Sequence, residues 1–391
     1  MNLAITRTSA ELAYGGELLP NPRMEDWKWT NLRTLIDRPY PPRLPVQAKA
    51  ADIDRLIKSS PFVEVAAARM VFVNGEYDAR RSRLPNGDAA SRIAADEPVL
   101  RLNQSFATGG ARLMLSGSID LPIELVFIAT DAEPRTIATR NVIEVAAGAT
   151  ATLIETHLGE GTYLANSVTE IRLGDGARLD RIKVEREAKA AIHLAHAHVT
   201  LGAGVVLRDF TLTSGARVNR QNGTYNFAGQ GADAKISGAY LLSGKQHADS
   251  RLVVDHQVPH CTSRELFKCV MDDNARGIFQ GKVVVQRDAQ KTDGKQSSHA
   301  LLLSETAEFD AKPELEIFAD DVVCGHGATS GDLDHDHLFY LRSRGIPEAQ
   351  AKSLLIAAFA AEAFETIGHD GIRAALNTYA ESWLTQHRSG R

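Results

Sequence analysis

Cysteine is scarce in this chain, with only Cys261, Cys269 and Cys324 among its 391 residues. None of them belongs to a C-x-x-C pair. The sequence therefore predicts neither a disulfide framework nor a closed zinc or ferredoxin-type centre. An odd, small number of thiols, with no apolar leader segment at the N-terminus, indicates a chain kept reduced in the cytoplasm.

Long apolar runs, excess basic charge and nucleotide-binding motifs are also missing. The longest apolar stretch, residues 354–361, is far shorter than the roughly 20 residues that cross a bilayer, so we expect no membrane span. The net charge is −5, which predicts no nucleic-acid partner. The chain contains no G-x-x-x-x-G-K-[ST] and no G-x-S-x-G. We therefore expect a chain that does not hydrolyse nucleotide itself and that relies on a partner for any use of ATP.

A glycine repeat is the first feature that the chain does have. Gly148, Gly176, Gly204 and Gly231 are separated by 28, 28 and 27 residues, and alternating polar and apolar residues follow them. A period of this length with short β-rich units favours a β-solenoid, in which each coil stacks on the previous one. An antiparallel sandwich with strands at similar spacing is the alternative.

The composition on either side of this repeat predicts three regions. Residues 1–95 form an N-terminal mixed or helical region, residues 96–332 the β core, and residues 333–391 a C-terminal helical domain. Pro347 suits the first turn of a helix. The apolar residues that follow it predict a helix that is buried on most sides or contacts another protein.

The most informative segment is CGHGATSGDLDHDHLFYLRSRGI, residues 324–346. It follows a strand-like run over residues 315–323 and leads into the predicted helices. Residues i and i+2 of an extended chain point to one face, so Cys324 and His326 can face the same metal or partner. Thiolate and imidazole are both ligands for iron. The alternative is a small buried cysteine beside a hydrogen-bonded turn histidine.

Seven segments together resemble the SufB/SufD family of the SUF iron–sulfur cluster assembly system. They are EDWKWTNL at 25–32, SRELFK at 263–268, FQGK at 279–282, AQKTD at 289–293, SHALLLS at 298–304, PELEI at 313–317 and the segment at 324–346. Leu341 stands where SufB chains typically carry a cysteine, so the resemblance is closer to the SufD branch. Gly325 departs from the serine that many relatives have there.

This resemblance implies a mainly β fold, with a central right-handed parallel β-helix between the N-terminal region and the C-terminal helical domain. It implies a non-catalytic scaffold subunit that pairs with SufB and binds the SufC ATPase through its helical domain. His326, and less strongly Cys324, would ligate a transient iron–sulfur cluster shared with SufB. Reduced flavin is a candidate ligand of the assembled complex only, and no cofactor is expected to bind tightly to the isolated chain.

Two surfaces are predicted to bind these partners. The last predicted strands, at 300–304 and 315–323, carry few charges that would discourage pairing with another chain. The same edge allows a homodimer of the isolated chain. The candidates for the SufB interface are Leu315, Ile317 and Val323. The candidates for contact with SufC are Leu354, Leu355 and Phe359.

Two other functions fit parts of the sequence. A purely structural subunit that stabilises SufB would need no ligand at His326. A β-helix enzyme acting on polysaccharide would align charged side chains on one solenoid face. The residues available for that role are Arg181, Lys183, Glu185 and Arg186. Their alternation is also what a solvated strand face shows, and we expect such a face here.

Overall fold

Two β-sheets, coiled around a common interior, make up most of the described chain. The computed structural model describes residues 19–20, 22–41, 48–83, 103, 107, 109–130 and 133–388. The larger sheet contains β1 (Ala68–Val73), β2 (Glu76–Tyr77), β4 (Ile123–Ala129), β6 (Thr150–Gly159), β8 (Arg178–Arg186), β10 (Val206–Thr213), β12 (Asp233–Leu242), β14 (Thr262–Met271), β16 (Asp293–Leu302) and β18 (Val323–Gly331). The smaller sheet contains β3 (Arg112–Leu115), β5 (Arg135–Val145), β7 (Tyr163–Leu173), β9 (Ile192–Leu201), β11 (Val218–Phe227), β13 (His247–His256), β15 (Arg276–Val285) and β17 (Glu308–Ile317).

Successive strands alternate between the two sheets, so each pair from β3–β4 to β17–β18 completes one coil. Neighbours within a sheet are parallel, apart from the short antiparallel pair of β1 and β2. The result is a β-solenoid of about eight turns, which confirms the mainly β fold and the solenoid prediction. β1 lies in the region assigned to the N-terminus and pairs in parallel with β4. The division at residues 95 and 332 stays a prediction.

Each coil turns sharply just before an even-numbered strand, and the glycine repeat marks these turns. The four repeated glycines have φ between 61° and 73°, a left-handed conformation that costs other L-residues roughly 1–2 kcal/mol. His260 and Lys291, both with φ 62°, occupy the corresponding turns before β14 and β16. The coil therefore continues beyond the point where the glycine repeat ends.

The solenoid interior contains charged side chains as well as an apolar core. Arg181, Lys183 and Glu185 of β8 are buried. Arg181 donates hydrogen bonds to Glu155 and Asp209 on the two neighbouring strands. The expectation that these residues form a solvated strand face is wrong, because inward-facing positions alternate with the same period as outward-facing ones.

Helices cover the outer face of the larger sheet. They are α3 (His335–Ser343), α4 (Glu348–Ala361) and α5 (Asp370–Arg388). Apolar residues on the outward side of the sheet, such as Ile182 and Phe210, form one core with Phe364, Ile372 and Trp383 from the helical region. The predicted C-terminal helical region is thereby confirmed. Among the helices of the described ranges, none is both long and apolar enough to cross a membrane.

The N-terminal segment covers the outer face of the smaller sheet. It comprises a 3₁₀ turn (Glu25–Trp27) and α1 (Leu32–Leu35), whereas α2 (Ala50–Lys58) packs on β1, β4 and β6 of the larger sheet. Trp27 is buried with apolar residues of β7, β9 and β11, and the Arg220 guanidinium stacks 4.5 Å from the centre of its ring. Thr30 donates a hydrogen bond to the buried Asp249 carboxylate. The EDWKWTNL motif is therefore built into the fold of the solenoid.

The predicted strand over residues 315–323 is wrong in its extent. β17 ends at Ile317 and β18 begins at Val323, and the residues between them carry the chain from one sheet to the other. Cys324 and His326 consequently lie within the last strand of the larger sheet, eleven and nine residues before the first C-terminal helix, which begins at His335. The apolar composition of this stretch conceals the break, since it contains neither glycine nor proline between Leu315 and Val323.

Candidate functional site at the end of the solenoid

The last strand places Cys324 and His326 at the open end of the coil. In the parallel register of β16 and β18, Cys324 lies beside Gly294 and His326 beside Gln296. Gly294 and Gln296 are buried and inward-facing, so Cys324 and His326 continue two interior columns. No described strand follows β18 in this sheet, which leaves His326 exposed and Cys324 half-buried against the core.

Two polar side chains that the sequence reasoning missed lie beneath His326. Gln296 Nε2 donates a 2.9 Å hydrogen bond to Glu265 Oε2, and both residues are buried. Burial raises the pKa of Glu265 to about 7, although hydrogen bonds from Gln296 and Ser263 oppose the rise. A side chain at Gly281 would place its Cβ 1.9 Å from Gln296 Nε2, so glycine there makes room for this pair. Following the coil register back from His326 identifies both residues.

The three cysteines differ in exposure and reactivity. Cys261 and Cys269 are buried, and burial raises the pKa of each thiol. Burial also raises the pKa of the Cys324 thiol. The Asp293 and Glu265 carboxylates raise this pKa further, whereas a hydrogen bond from the Gly294 backbone lowers it. At neutral pH Cys324 is therefore mainly a thiol, and a metal that binds it has to displace a proton.

Alkylation with iodoacetamide is expected to modify Cys324 alone in the native chain. Its raised pKa makes the rate at pH 8 slower than that of an unstructured cysteine peptide, and the rate increases steeply as the pH is raised towards 9 and beyond. Peptide mass spectrometry over a pH series measures this, with the urea-unfolded chain as control. Equal labelling of Cys261 or Cys269 in the native chain would contradict the packing described above.

Two strand edges flank this site without a strand beside them. β17 and β18 are the last members of their sheets within the described chain. Three apolar side chains near the edges are unusually exposed: Ile317 at 41%, Phe318 at 60% and Val323 at 61%. Leu315, the remaining predicted interface residue, is half-buried and packs against the core. Unpaired backbone groups next to exposed apolar side chains form a surface suited to strand addition.

The two edge strands, which were predicted to carry few charges, differ from each other in charge. β18 carries none between Val323 and Gly331. β17, in contrast, has a charged residue at every second position. These charged side chains alternate with the inward-facing ones. Two of them, Lys312 and Glu314, form an ion pair, and Glu316 pairs with Lys282 of the neighbouring strand β15. The uncharged edge is therefore the one that carries Cys324 and His326.

The predicted contact residues of α4 are not equally accessible. Leu354 is 47% exposed, whereas Leu355 and Phe359 are half-buried in a cleft against α3 and β16. The Lys268 ammonium lies 4.6 Å from the centre of the Phe359 ring, so this ring is held by its own chain. The sequence reasoning missed the two most exposed aromatic side chains of the region, Phe339 at 74% and Tyr340 at 56%.

Comparison with known proteins assigns the chain to a family. Residues 127–359 match the family model described as "SUF system FeS cluster assembly, SufBD core domain". The chain is 30% identical over 373 residues to "Iron-sulfur cluster assembly protein SufD" of Escherichia coli (strain K12), an alignment that covers 91% of this chain and 87% of the relative. It is also 30% identical over 397 residues to the SufBD family protein slr0076 of Synechocystis, covering 92% and 86%.

A shorter match points the same way. The SufBD family protein Mb1497 of Mycobacterium bovis is 35% identical over 242 residues, covering 60% of each chain. The family model spans most of the strands and extends into α4, so it includes Cys324 and His326. On these matches the chain belongs to the SufBD family of iron–sulfur cluster assembly proteins, as a homologue of SufD.

Proposed function

We propose that this chain is a non-catalytic scaffold subunit that pairs with SufB and helps to hold a nascent iron–sulfur cluster between them. One observation carries the proposal: a thiol and an imidazole project from the open end of the solenoid, beside two strand edges and three exposed apolar side chains. A second chain that adds its strands to β17 and β18 would cover both donors. The unpaired cysteines fit a complex that works in the cytoplasm.

This chain supplies only two of the ligands that a cluster needs. His326 is exposed and sterically free to bind iron, and we assign it the main role. Cys324 is half-buried with a raised pKa, and we assign it the secondary one. Iron–sulfur clusters take about four protein ligands, so SufB has to supply the others. A cluster held by so few ligands from each side is cargo that can be released, and reduced flavin would bind only to the complete complex.

The test is a His326→Ala variant co-expressed with SufB and SufC and purified without oxygen. We expect iron and acid-labile sulfide per complex to fall at least several-fold, because even indirect disturbance of a metal site costs about 10–100-fold in affinity. The charge-transfer absorbance in the visible range should fall in parallel. Size-exclusion chromatography checks that the variant complex is assembled.

A surface histidine provides the matched control for this experiment. His260, exposed in the turn before β14, is changed to asparagine, which tolerates the left-handed backbone there, and should leave the cluster content unchanged. If the assembled His326→Ala complex accumulates iron and sulfide like the wild type, the chain is a purely structural subunit that stabilises SufB.

The exposed side of α3 and α4 is the proposed docking surface for SufC. Phe339, Tyr340 and Leu354 present apolar area to solvent there, and Leu355 and Phe359 line the adjoining cleft. A Phe339→Ser/Leu354→Ser double variant is expected to weaken SufC binding by tenfold or more, since buried interface anchors contribute about 2 kcal/mol each. Surface plasmon resonance measures the change.

Met114 supplies the control for this second surface. It is 73% exposed on β3, at the opposite end of the solenoid, and Leu121 nearby is 61% exposed. Met114→Ser/Leu121→Ser therefore also replaces two exposed apolar side chains. The SufC affinity of this control should equal that of the wild type. Undiminished binding of the double variant would place SufC elsewhere on the chain.

A further inference from the structure

A second group of metal-ligating side chains lies inside the solenoid, far from Cys324 and His326. His157 is on β6, His193 is on β9, and Glu187 follows the end of β8. All three are buried, and their ligand atoms lie within 4.8 Å of one another. Six strand spacings separate β6 from β18, a distance of roughly 29 Å. The group is therefore independent of the open end.

The atoms that converge here have no hydrogen-bond partner within the described ranges of the chain. They are His157 Nε2, His193 Nδ1 and Glu187 Oε2. His193 Nδ1 lies only 2.7 Å from Glu187 Oε2, but the two are not aligned as donor and acceptor of a hydrogen bond. Each unsatisfied buried polar atom costs about 1–3 kcal/mol. Three such atoms within 4.8 Å of one another form a buried group of donors that one bound ion would satisfy together.

Two carboxylates flank the His193 ring. Burial lowers the pKa of His193, but Glu185 and Glu187 raise it to about 9, so an ion that binds at Nδ1 has to displace a proton. Glu185 already has the Lys183 ammonium at 2.7 Å and His193 Nε2 at 2.8 Å. Glu187 lies against His193 Nδ1, and the second titratable group next to the Glu187 carboxylate is Tyr163.

We propose that His157, His193 and Glu187 bind one divalent transition-metal ion. Two imidazoles and a carboxylate are a donor set that suits Zn²⁺ or Fe²⁺, whereas Mg²⁺ and Ca²⁺ prefer oxygen ligands alone. His193 Nδ1 and Glu187 Oε2, 2.7 Å apart, fit neighbouring positions around an ion with bonds of about 2.1 Å, and a ring nitrogen of His157 lies within 4.8 Å of both. His157 and Glu187 also line a cavity of about 20 Å³, which has room for about one water as a further ligand.

The aromatic stacking of His157 permits a variant that removes one ligand and little else. Its ring stacks on Phe127, with centroids 4.8 Å apart. His157→Phe preserves the stack and the volume, and it also removes an unsatisfied buried nitrogen. The metal-free variant should therefore melt within a few degrees of the wild type. His256→Phe is the matched control, because His256 is equally buried and stacks on Phe227 at 4.2 Å.

The experiment uses the full chain. Metal content is first measured by mass spectrometry on protein purified without chelator, and the chelator-treated protein is then titrated with Co²⁺ and with Zn²⁺. We expect one ion per chain, Co²⁺ absorption bands of nitrogen and oxygen ligation, and a raised melting temperature at saturation. His157→Phe and Glu187→Gln should each weaken binding at least tenfold, while His256→Phe and Cys324→Ser bind like the wild type.

Two results would overturn the proposal. If the purified chain contains no transition metal and the chelated chain binds none at millimolar concentrations, the cluster is only a buried ion pair between His193 and its two carboxylates. If an ion binds but His157→Phe retains full affinity, or Cys324→Ser loses it, the ion occupies a different site.

Discussion

Replacing Arg181 with methionine is expected to lower the free energy of unfolding by about 3–5 kcal/mol, the usual cost of leaving a buried charge without its partner. Arg181 Nε donates to Glu155 Oε1 at 2.7 Å, and Nη1 lies 3.0 and 3.1 Å from the Asp209 carboxylate oxygens. Burial alone lowers the pKa of Arg181, but Asp209 and Glu155 raise it by more. Methionine fills a similar volume and leaves two buried carboxylates without this cation.

Urea denaturation followed by circular dichroism measures this loss. Arg178→Met is the control, since Arg178 lies on the same strand but is exposed, and a change there should stay within about 0.5 kcal/mol. Replacing all three residues, as Glu155→Leu/Arg181→Met/Asp209→Leu, should recover most of the stability, because three apolar side chains leave no buried charge without a partner. A loss below 1 kcal/mol in the single variant would show that Glu155 and Asp209 do not depend on Arg181.

The solenoid could be predicted because its turns place a strict demand on the backbone. A left-handed residue stands before each of the six even-numbered strands from β6 to β16, and glycine occupies the first four of these positions. His260 and Lys291 meet this demand in later coils without any sequence signal. The surrounding hydrogen bonds hold the turn there, as in the bonds from the backbone N–H of His260 and Lys291 to the next coil. The visible repeat therefore covers only part of the coiled region.

The charged interior could not be predicted from the same alternation that revealed the strands. The two-residue alternation of a strand shows which residues share a face, but it does not show which face is inside. Arg181, Lys183 and Glu185 look like a solvent-exposed row until their partners on neighbouring strands are known. The partners of Arg181, Glu155 and Asp209, lie 26 and 28 residues away in the sequence, and only the coil register brings them together.

The two residues of the candidate site could be named from their spacing, whereas their surroundings could not. Cys324 and His326 share a face in any extended segment. Gln296 and Glu265 reach His326 through two successive coils, and their offsets of 30 and 31 residues differ from the 28 of the glycine repeat. A small change in loop length between coils is sufficient to hide such a column from a sequence read alone.

An Ile317→Lys/Val323→Lys variant is expected to weaken association with SufB by at least about 100-fold. Both side chains are exposed at the ends of the last two strands, where the proposed partner strands would bury them. Enclosing two ammonium groups without counter-ions costs several kcal/mol, and charged edge residues are a general device against strand pairing. Co-purification of tagged SufB, followed by an equilibrium titration, measures the effect.

The control must carry the same charge change on an equally exposed apolar pair. Met114 and Leu121 are 73% and 61% exposed near the first strands of the solenoid, so Met114→Lys/Leu121→Lys adds two positive charges far from the open end. This control should bind SufB like the wild type, and light scattering of each isolated variant shows whether a homodimer uses the same edge. If the Ile317/Val323 variant still binds SufB with full affinity, the two chains do not associate by strand addition at β17 and β18. The ligands that complete the site of Cys324 and His326 would then have to come from another surface.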